Sequence, residues 1–169
     1  MLALAFLLDL WMGDPVCPFH PVRLMGRAIQ LGESFLRRWV RFEKAAGAIL
    51  ALTFPLGVFL GSWFLLFSLS HVHHWLAWAV NLFGIYTAIS VRDLHNEGIR
   101  IYRDLEQEEI AKARLDLARL VGRDTHSLER SDILRASIET VAESTVDGIM
   151  APLFYAALGG APLALAYKA

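Results

Sequence analysis

The sequence predicts an all-α, polytopic helical membrane protein, and three observations support this prediction. The chain of 169 residues is 56% hydrophobic, which is somewhat more than is usual for a soluble domain. No Asp, Glu, Lys or Arg occurs between residues 45 and 91, whereas residues 92–147 carry dense charge of both signs. Strand-like alternation is scarce, and apolar residues recur instead at helical spacing. We therefore expect a membrane hairpin followed by a polar helical segment.

Composition also narrows the class of function. The formal net charge is −1, so the chain has no general electrostatic attraction for nucleic acid. A single cysteine excludes an internal disulfide. The Walker A, dinucleotide-binding, nucleophile-elbow and HExxH motifs are all absent. Residues 1–8 contain no Lys or Arg and no small-residue cleavage site follows, so we do not expect a cleaved signal peptide.

The first predicted unit, residues 1–46, begins with a short apolar segment. Residues 1–13 are apolar except for Asp9 and would span roughly 20 Å as a helix, which is less than the ~30 Å of a hydrocarbon core. The segment could be tilted, partial or re-entrant. Asp9 could then face protein as a functional group, or lie hydrated near the membrane interface.

A proline-containing loop and an amphipathic helix complete this unit. Gly13-Asp14-Pro15 ends the first helix, and the loop continues to His20-Pro21. Asp14 and His20 could together bind a metal or a substrate. Residues 22–44 predict a helix with one apolar face and many arginines, which could lie on an anionic membrane or hold phosphate.

The second predicted unit, residues 47–91, is a transmembrane hairpin. Its two apolar segments are separated by a turn that contains His71, His73 and His74. These histidines could be polar residues of an interfacial turn or ligands of a metal. Because the turn lacks Lys and Arg while both flanks are basic, we expect both flanks to be cytoplasmic.

The third predicted unit, residues 92–148, is a cytoplasmic helical segment. Gly122 suits the position that follows a helix C-terminus, and Val121-Gly122-Arg123-Asp124-Thr125 is expected to form a turn between helices. Ser131 is a candidate cap for the next helix. The core side of that helix is predicted to carry Leu134, Ile138 and Val141.

Three carboxylates spaced four residues apart end this unit. On a helix, Glu139, Glu143 and Asp147 share one side, drifting by about 40° per step. This acidic stripe could be an ordinary solvated face. Alternatively, because helix C-termini disfavour negative charge, the stripe could bind a cation or a hydrogen-bonding substrate beside the membrane surface.

The fourth predicted unit, residues 149–169, is apolar but contains several helix breakers. Pro152, Gly159-Gly160 and Pro162 interrupt it. A broken helix at membrane depth is tolerated where it is buried in protein or lines a cavity. The sequence leaves open whether this segment is a kinked span or such a broken helix.

Several short motifs, in their order along the whole chain, resemble the adenosylcobinamide-phosphate synthase (CbiB/CobD) family of cobalamin biosynthesis. Two departures accompany the resemblance: Ser144 stands where family members often have Asn, and the family continues beyond residue 169 into an Asn-Thr-Leu-Asp-Ser-like motif and further membrane segments. The resemblance thus implies that the chain is approximately the N-terminal half of a family member. The motifs are Gly13-Asp14-Pro15, His20-Pro21-Val22-Arg23 with Gly26, Val121-Gly122-Arg123-Asp124-Thr125, Glu139 through Phe154, Gly159-Gly160-Ala161-Pro162 and Tyr167-Lys168-Ala169.

The resemblance implies an ATP-dependent amide ligation, in which adenosylcobyric acid is joined to aminopropanol or its O-phosphate. It further implies an integral protein of a bacterial or archaeal-type plasma membrane, with residues 92–148 facing the cytoplasm. Membrane lipid and a C-terminal half are the other expected partners, without nucleic acid. A non-catalytic membrane subunit or a small-solute transporter is the alternative, although the inverted repeats that favour a transporter are absent from the sequence.

The family itself does not assign the site residues, so their roles are hypotheses that combine this reaction with the chemistry of the side chains. ATP and Mg²⁺ are the expected cosubstrate and metal, and the corrinoid is a substrate rather than a cofactor. Glu139, Glu143 and Asp147 are the expected catalytic residues, with Glu143 and Asp147 as Mg²⁺ ligands. The residues expected to bind substrate are Asp14, His20, Arg123, Asp124, Thr125 and Lys168.

Overall fold

The structure, a computed structural model, describes residues 1–14, 20–39, 42–122 and 124–169. Throughout these ranges the regular structure is helical, which confirms the predicted all-α fold. A π-helical turn at Val146–Met150 joins the last two helices without an intervening loop. The α-helices are α1 (Leu2–Met12), α2 (Pro21–Trp39), α3 (Glu43–Val72), α4 (His74–Tyr86), α5 (Val91–Glu106), α6 (Ile110–Leu120), α7 (Arg130–Thr145) and α8 (Ala151–Lys168).

Two stretches among the described residues are long and apolar enough to cross a membrane by length and composition. One is α3, with 30 residues, and the other is the continuous helical stretch Arg130–Lys168. Helix α1 is also apolar, but it has only 11 residues. Helices α3 and α4 occupy the range of the predicted hairpin, and α8 packs against both of them.

Helix α8 reverses direction at Gly159–Gly160. Both glycines have non-helical backbone angles, and φ at Gly160 is +67°. The Tyr167 hydroxyl lies 3.0 Å from Asp147 Oδ1, whereas a straight helix would separate these residues by roughly 30 Å. The rings of Tyr155 and Tyr167 also stack, with centroids 5.0 Å apart. The predicted broken helix is therefore a pair of short helices whose second half returns to the level of Asp147.

Asn81 in α4 stabilises this reversal. Its Oδ1 accepts a hydrogen bond from the backbone N–H of Ala161 at 2.8 Å, which satisfies a donor that the helix break leaves free. A Cβ atom at Gly160 would lie only 2.9 Å from the same oxygen. Gly84 allows an equally close approach of α4 to α8, because a Cβ there would lie 2.6 Å from Ala161 Cβ.

Two hydrophobic cores hold the described helices together. The first lies among α1, α4 and α8, and the second lies among α5, α6 and α7. The first contains Ala5, Ile85, Tyr86, Ala88, Ile89, Ala156, Ala161, Ala164 and Leu165. The second contains Ile101, Leu105, Ala113, Leu117, Ile133 and Ala136.

Two sequence-based expectations for α7 were wrong. Leu134 and Ile138 are 46% and 61% exposed, because α5 and α6 cover the neighbouring stripe that carries Ile133 and Ala136. The predicted cap, Ser131, lies inside the helix. Glu129 is the cap instead, in a reciprocal capping box with Asp132, which satisfies two backbone donors at once.

Candidate functional site

A cavity of about 590 Å³ lies where the start of α5, the π-helical turn and the end of α8 meet. Three carboxylates and one ammonium group line it, so its wall has an excess of negative charge. Two of the sequence-predicted site residues, Asp147 and Lys168, belong to this wall. The described lining residues are Ser90, Asp93, Leu94, Glu97, Leu120, Ser144, Asp147, Gly148, Tyr167 and Lys168.

The π-helical turn and the reversal of α8 bring these residues together. Within the turn, the Gly148 carbonyl accepts a hydrogen bond from the Ser90 N–H at 3.1 Å, which holds the start of α5 against the turn. The reversal returns Tyr167 to Asp147, as described above, and places Lys168 in the same wall. Single π-helical turns inside α-helices are frequent at functional sites.

A buried aspartate joins α1 to the start of α5 beside the cavity. Asp9 is fully buried, and its Oδ2 accepts hydrogen bonds from the N–H groups of Val91 at 2.6 Å and Arg92 at 3.3 Å. It therefore satisfies helix donors that would otherwise be unpaired. Of the two environments that the sequence left open for Asp9, the structure has the protein-facing one.

Asp14 and His20 form a carboxylate–imidazole pair that is not part of the cavity lining. Asp14 Oδ1 lies 3.6 Å from His20 Nε2. His20 is 4% exposed, and neither of these two atoms has a hydrogen-bond partner in the part of the chain that the structure describes. Such unpaired buried polar atoms cost free energy unless a ligand or water satisfies them.

The electrostatics of this pair follow from burial and from its charged neighbours. Burial, then the carboxylates of Asp93 and Asp9, raise the pKa of Asp14 to about 6. Burial and the nearby Arg23 lower the pKa of His20. At neutral pH His20 is thus uncharged, while Asp14 is an unusually basic carboxylate.

Gly13 fixes the backbone that carries Asp14. Its φ is +72°, and a Cβ atom there would lie 3.0 Å from Arg92 Cδ. The Tyr86 hydroxyl donates a hydrogen bond to the Gly13 carbonyl. The end of α1 is therefore held by α4 and α5, and Asp14 follows directly from this anchored residue.

The acidic stripe does not act as one surface. Asp147 lines the cavity, whereas Glu139 and Glu143 are exposed on α7 outside its lining. Glu139 forms an ion pair with Arg135, with the atoms Oε1 and Nε 2.9 Å apart. Asp147 lies within the π-helical turn, whereas Glu139 and Glu143 belong to the regular α-helix that precedes it.

The predicted turn before α7 has local roles in the structure. Thr125 is 2% exposed, and its hydroxyl donates to the Arg114 carbonyl at 2.9 Å. The Asp124 carboxylate accepts from the His126 N–H at 2.9 Å, as in an Asx turn. Arg123 lies outside the described residues. Substrate binding by these three residues remains a prediction.

The described residues do not form a preassembled metal centre. No group of three or more His, Cys, Asp or Glu side chains in these ranges is placed to hold an ion, and this includes the three histidines of the α3–α4 turn. Mg²⁺ commonly binds through one or two carboxylates together with substrate phosphates. Of the two predicted Mg²⁺ ligands, Asp147 faces the cavity and Glu143 does not.

The sequence reasoning missed two cavity residues on α5. Asp93 and Glu97 are one turn apart and both line the cavity. Their i, i+4 spacing, directly after the uncharged hairpin, is a signal that could have identified them. Asp93 also acts on Asp14 electrostatically, which links the cavity to the Asp14–His20 pair.

Comparison with known proteins gives the family. The model of the family described as CobD/Cbib protein matches residues 2–169. The chain is 42% identical over 168 residues to the cobalamin biosynthesis protein CobD of Photorhabdus laumondii, covering 98% of this chain and 53% of that protein. It is 40% identical over 169 residues to the cobalamin biosynthesis protein CbiB of Salmonella arizonae, with the same coverage of each chain.

The chain thus spans about half the length of the curated relatives it matches. No solved structure matches it significantly. The family match covers both the hairpin and every motif that forms the cavity. The chain belongs to the CobD/CbiB protein family.

Proposed function

We propose that this chain acts in cobalamin biosynthesis as the N-terminal portion of a membrane-bound adenosylcobinamide-phosphate synthase. The reaction is an ATP-dependent amide ligation between a carboxylate of adenosylcobyric acid and aminopropanol or its O-phosphate. Family membership supports the pathway. The observation that carries the proposed activity is the cavity, where Asp147 and Lys168 from two separate motifs meet. Lys168 also acts electrostatically on Asp14.

The chemistry needs an activated carboxylate, because a free carboxylate is a poor acceptor for an amine. ATP supplies a phosphoryl group and forms an acyl phosphate. The amine nitrogen then attacks the acyl carbon, so that a C–N bond forms and the C–O bond to phosphate breaks. The proton of the amine passes to a base and inorganic phosphate leaves.

The cavity wall suits the two reactants of this step. Asp93, Glu97 and Asp147 attract the positively charged amine. Lys168 is the cation of the described wall and stabilises the negative charge of the leaving phosphate. If Mg²⁺ accompanies the nucleotide, Asp147 is the one of its two predicted ligands that lines the cavity. Glu139 and Glu143 are exposed and lie outside the cavity lining, so their catalytic roles remain predictions from the sequence.

A membrane location is part of this proposal. The long apolar helix α3 and the apolar, reversed α8 support integration into the bilayer. Basic residues in α2 and in the segment after the hairpin support a cytoplasmic position for residues 92–148. In that orientation the lining residues Asp93, Glu97, Ser144 and Asp147 belong to the segment that faces the compartment containing ATP.

The experiment measures corrinoid amidation in membranes of a strain that lacks its own synthase. The chain is expressed alone, and also together with the second half of the Photorhabdus laumondii relative. An ATP- and amine-dependent increase in corrinoid mass supports the proposal. Asp147→Asn and Glu143→Gln test the predicted catalytic residues. Glu106→Gln, an exposed carboxylate at the far end of α5, is the matched control.

The outcomes separate an enzyme from its alternatives. Corrinoid binding without ATP consumption in both preparations indicates a non-catalytic subunit. Movement of a corrinoid or amine across sealed vesicles, without a change in mass, indicates a transporter. Product formation by the chain alone means that the second half is dispensable for the chemistry.

A further inference from the structure

We infer that Asp14 is the base that accepts the proton of the amine substrate, and that His20 positions its carboxylate. This inference rests on the proposed amide ligation and assigns one step of it to specific atoms. Asp14 is thus a catalytic residue and His20 a positioning residue. The assignment adds a chemical role to a pair that the sequence identified only as possible ligands.

The geometry of the pair is the first support. Asp14 Oδ1 and His20 Nε2 are 3.6 Å apart, and both atoms lack a hydrogen-bond partner among the described residues. His20 is almost completely buried, while Asp14 keeps 23% of its side chain exposed. A slight approach would let a neutral His20 donate its Nε2 proton to Asp14 and fix the carboxylate, leaving the exposed edge of Asp14 free for substrate.

The location of Asp14 is the second support. Among the charges that act on it, Asp93 and Lys168 line the cavity. Gly13, the preceding residue, is anchored by Tyr86 and packs beside Arg92. The carboxylate is therefore attached to a fixed backbone within electrostatic range of two cavity residues, and a fixed position is a requirement for a base.

The charged groups around Asp14 come from four helices. Asp9 of α1 and Asp93 of α5 raise its pKa, whereas Lys168 of α8 and Arg23 of α2 lower it. Burial is the largest influence and it also favours the protonated form. The resulting pKa of about 6 keeps Asp14 ionised at neutral pH while making it a stronger base than an ordinary aspartate.

The proton transfer balances without a further reactant. The ammonium form of the amine gives one proton to the Asp14 carboxylate, which yields a neutral amine and a carboxylic acid. The neutral amine attacks the acyl phosphate, forms the C–N bond and releases phosphate. The second proton lost from nitrogen leaves with phosphate or solvent, and Asp14 returns its proton to solvent before the next cycle.

Hydroxylamine provides the decisive test, because it is a nucleophile that is already uncharged at neutral pH. It traps an acyl phosphate as a hydroxamate and does not need a base to remove a first proton. Asp14→Asn should lower the rate of amide formation with aminopropanol about a hundredfold. The same variant should form hydroxamate at a rate within about threefold of the unsubstituted protein, in the preparation that is active in the amidation assay.

His20 is tested in the same two reactions. His20→Gln should reduce amide formation with aminopropanol about tenfold and leave hydroxamate formation unchanged. Asp14→Glu retains a carboxylate and should recover part of the aminopropanol rate. Glu106→Gln should leave both rates unchanged, because this exposed residue lies at the opposite end of α5 from the cavity.

The outcomes distinguish this inference from the proposed function. Hydroxamate formation that falls as much as amide formation in Asp14→Asn overturns the role of Asp14 as a base, and unchanged amide formation does the same. If the unsubstituted protein yields neither product, the proposed ligation is overturned and the inference with it. Infrared difference spectra with ¹³C-labelled aspartate provide a readout without turnover: a carboxyl band that titrates near pH 6 should be lost in Asp14→Asn.

Discussion

The carboxylate of Asp9 and the backbone N–H of Val91 form a 2.6 Å hydrogen bond that joins α1 to the first residue of α5. Eighty-two positions separate the two residues in sequence, so this cap is a long-range contact rather than a local one. It fixes the helix that carries Asp93 and Glu97. The start of α5 therefore depends on a residue that lies within an otherwise apolar segment.

Replacement of Asp9 by alanine should destabilise the protein by about 1–3 kcal/mol, because two buried N–H groups lose their acceptor. Amide hydrogen exchange should increase at residues 91–94 more than in α6. Thermal unfolding in detergent and exchange mass spectrometry measure the two effects. If hydrogen exchange in the variant increased by the same amount at residues 91–94 and in α6, a local capping role for Asp9 would be contradicted.

Replacement of Gly160 by alanine should destabilise the reversal of α8. The new Cβ atom would lie 2.9 Å from Asn81 Oδ1, and the alanine would have to adopt an unfavourable positive φ. Together these effects should cost about 1–3 kcal/mol. Gly57→Ala is the matched control, since a Cβ there meets open space in the regular helix α3. We expect the control to be neutral or stabilising by up to about 1 kcal/mol.

The ionisation of Asp14 should make stability depend on pH. Its pKa is higher in the folded protein, about 6, than its ordinary value of 3.8, so the folded state binds the proton more tightly. Protonation of Asp14 thus stabilises the folded state. This stabilisation is complete below pH 3.8, declines as the pH rises to about 6 and is absent above pH 6.

Asp14→Asn should remove this decline, which is on the order of 3 kcal/mol. Unfolding curves in denaturant at a series of pH values from about 4 to about 7 measure it. An identical pH dependence in the variant and the unsubstituted protein would assign the decline to other groups.

Thr125→Val should affect stability rather than activity. The substitution removes the hydroxyl that donates to the Arg114 carbonyl at 2.9 Å and should cost about 1 kcal/mol. The thermal midpoint and the apparent affinity for corrinoid are measured in parallel. A change in affinity larger than about threefold without loss of stability would support the substrate-binding role predicted from the sequence.

Tyr167→Phe tests the contact that closes the cavity at α8. The tyrosine hydroxyl donates to Asp147 Oδ1 at 3.0 Å, and the pair is exposed, so its loss should change stability by less than about 1 kcal/mol. Without this bond the Asp147 side chain should reorient, and we expect the amidation rate to fall severalfold as a result. Amidation at the original rate would indicate that the hydroxyl does not position Asp147.

Much of the helical fold could be predicted from local sequence. The uncharged stretch identified the segment that contains α3 and α4, and Gly122 correctly marked the position after the end of α6. The prediction that Leu134 and Ile138 lie on the core side of α7 was wrong because apolar residues occur on two adjacent stripes. Only the packing of α5 and α6 decides which stripe is buried, and a single helix does not contain that information.

The site was harder to predict because its residues meet through two backbone irregularities. Asp147 and Lys168 were identified, but a regular helix would have placed them far apart. The double glycine indicated a break, while the direction of the chain after the break depends on Asn81 in another helix. Asp9 capping α5 likewise depends on tertiary packing, so the spacing of residues could not reveal it.

The reversal of α8 also determines how far this helix reaches in one direction. A straight helix of 18 residues would be about 27 Å long, but the break at Gly159–Gly160 divides it into two halves of about 12 Å each. Each half is well below the ~30 Å of a hydrocarbon core. Within a bilayer, α8 would therefore enter and leave on the same side, and Asp147 and Lys168 would both lie near that surface.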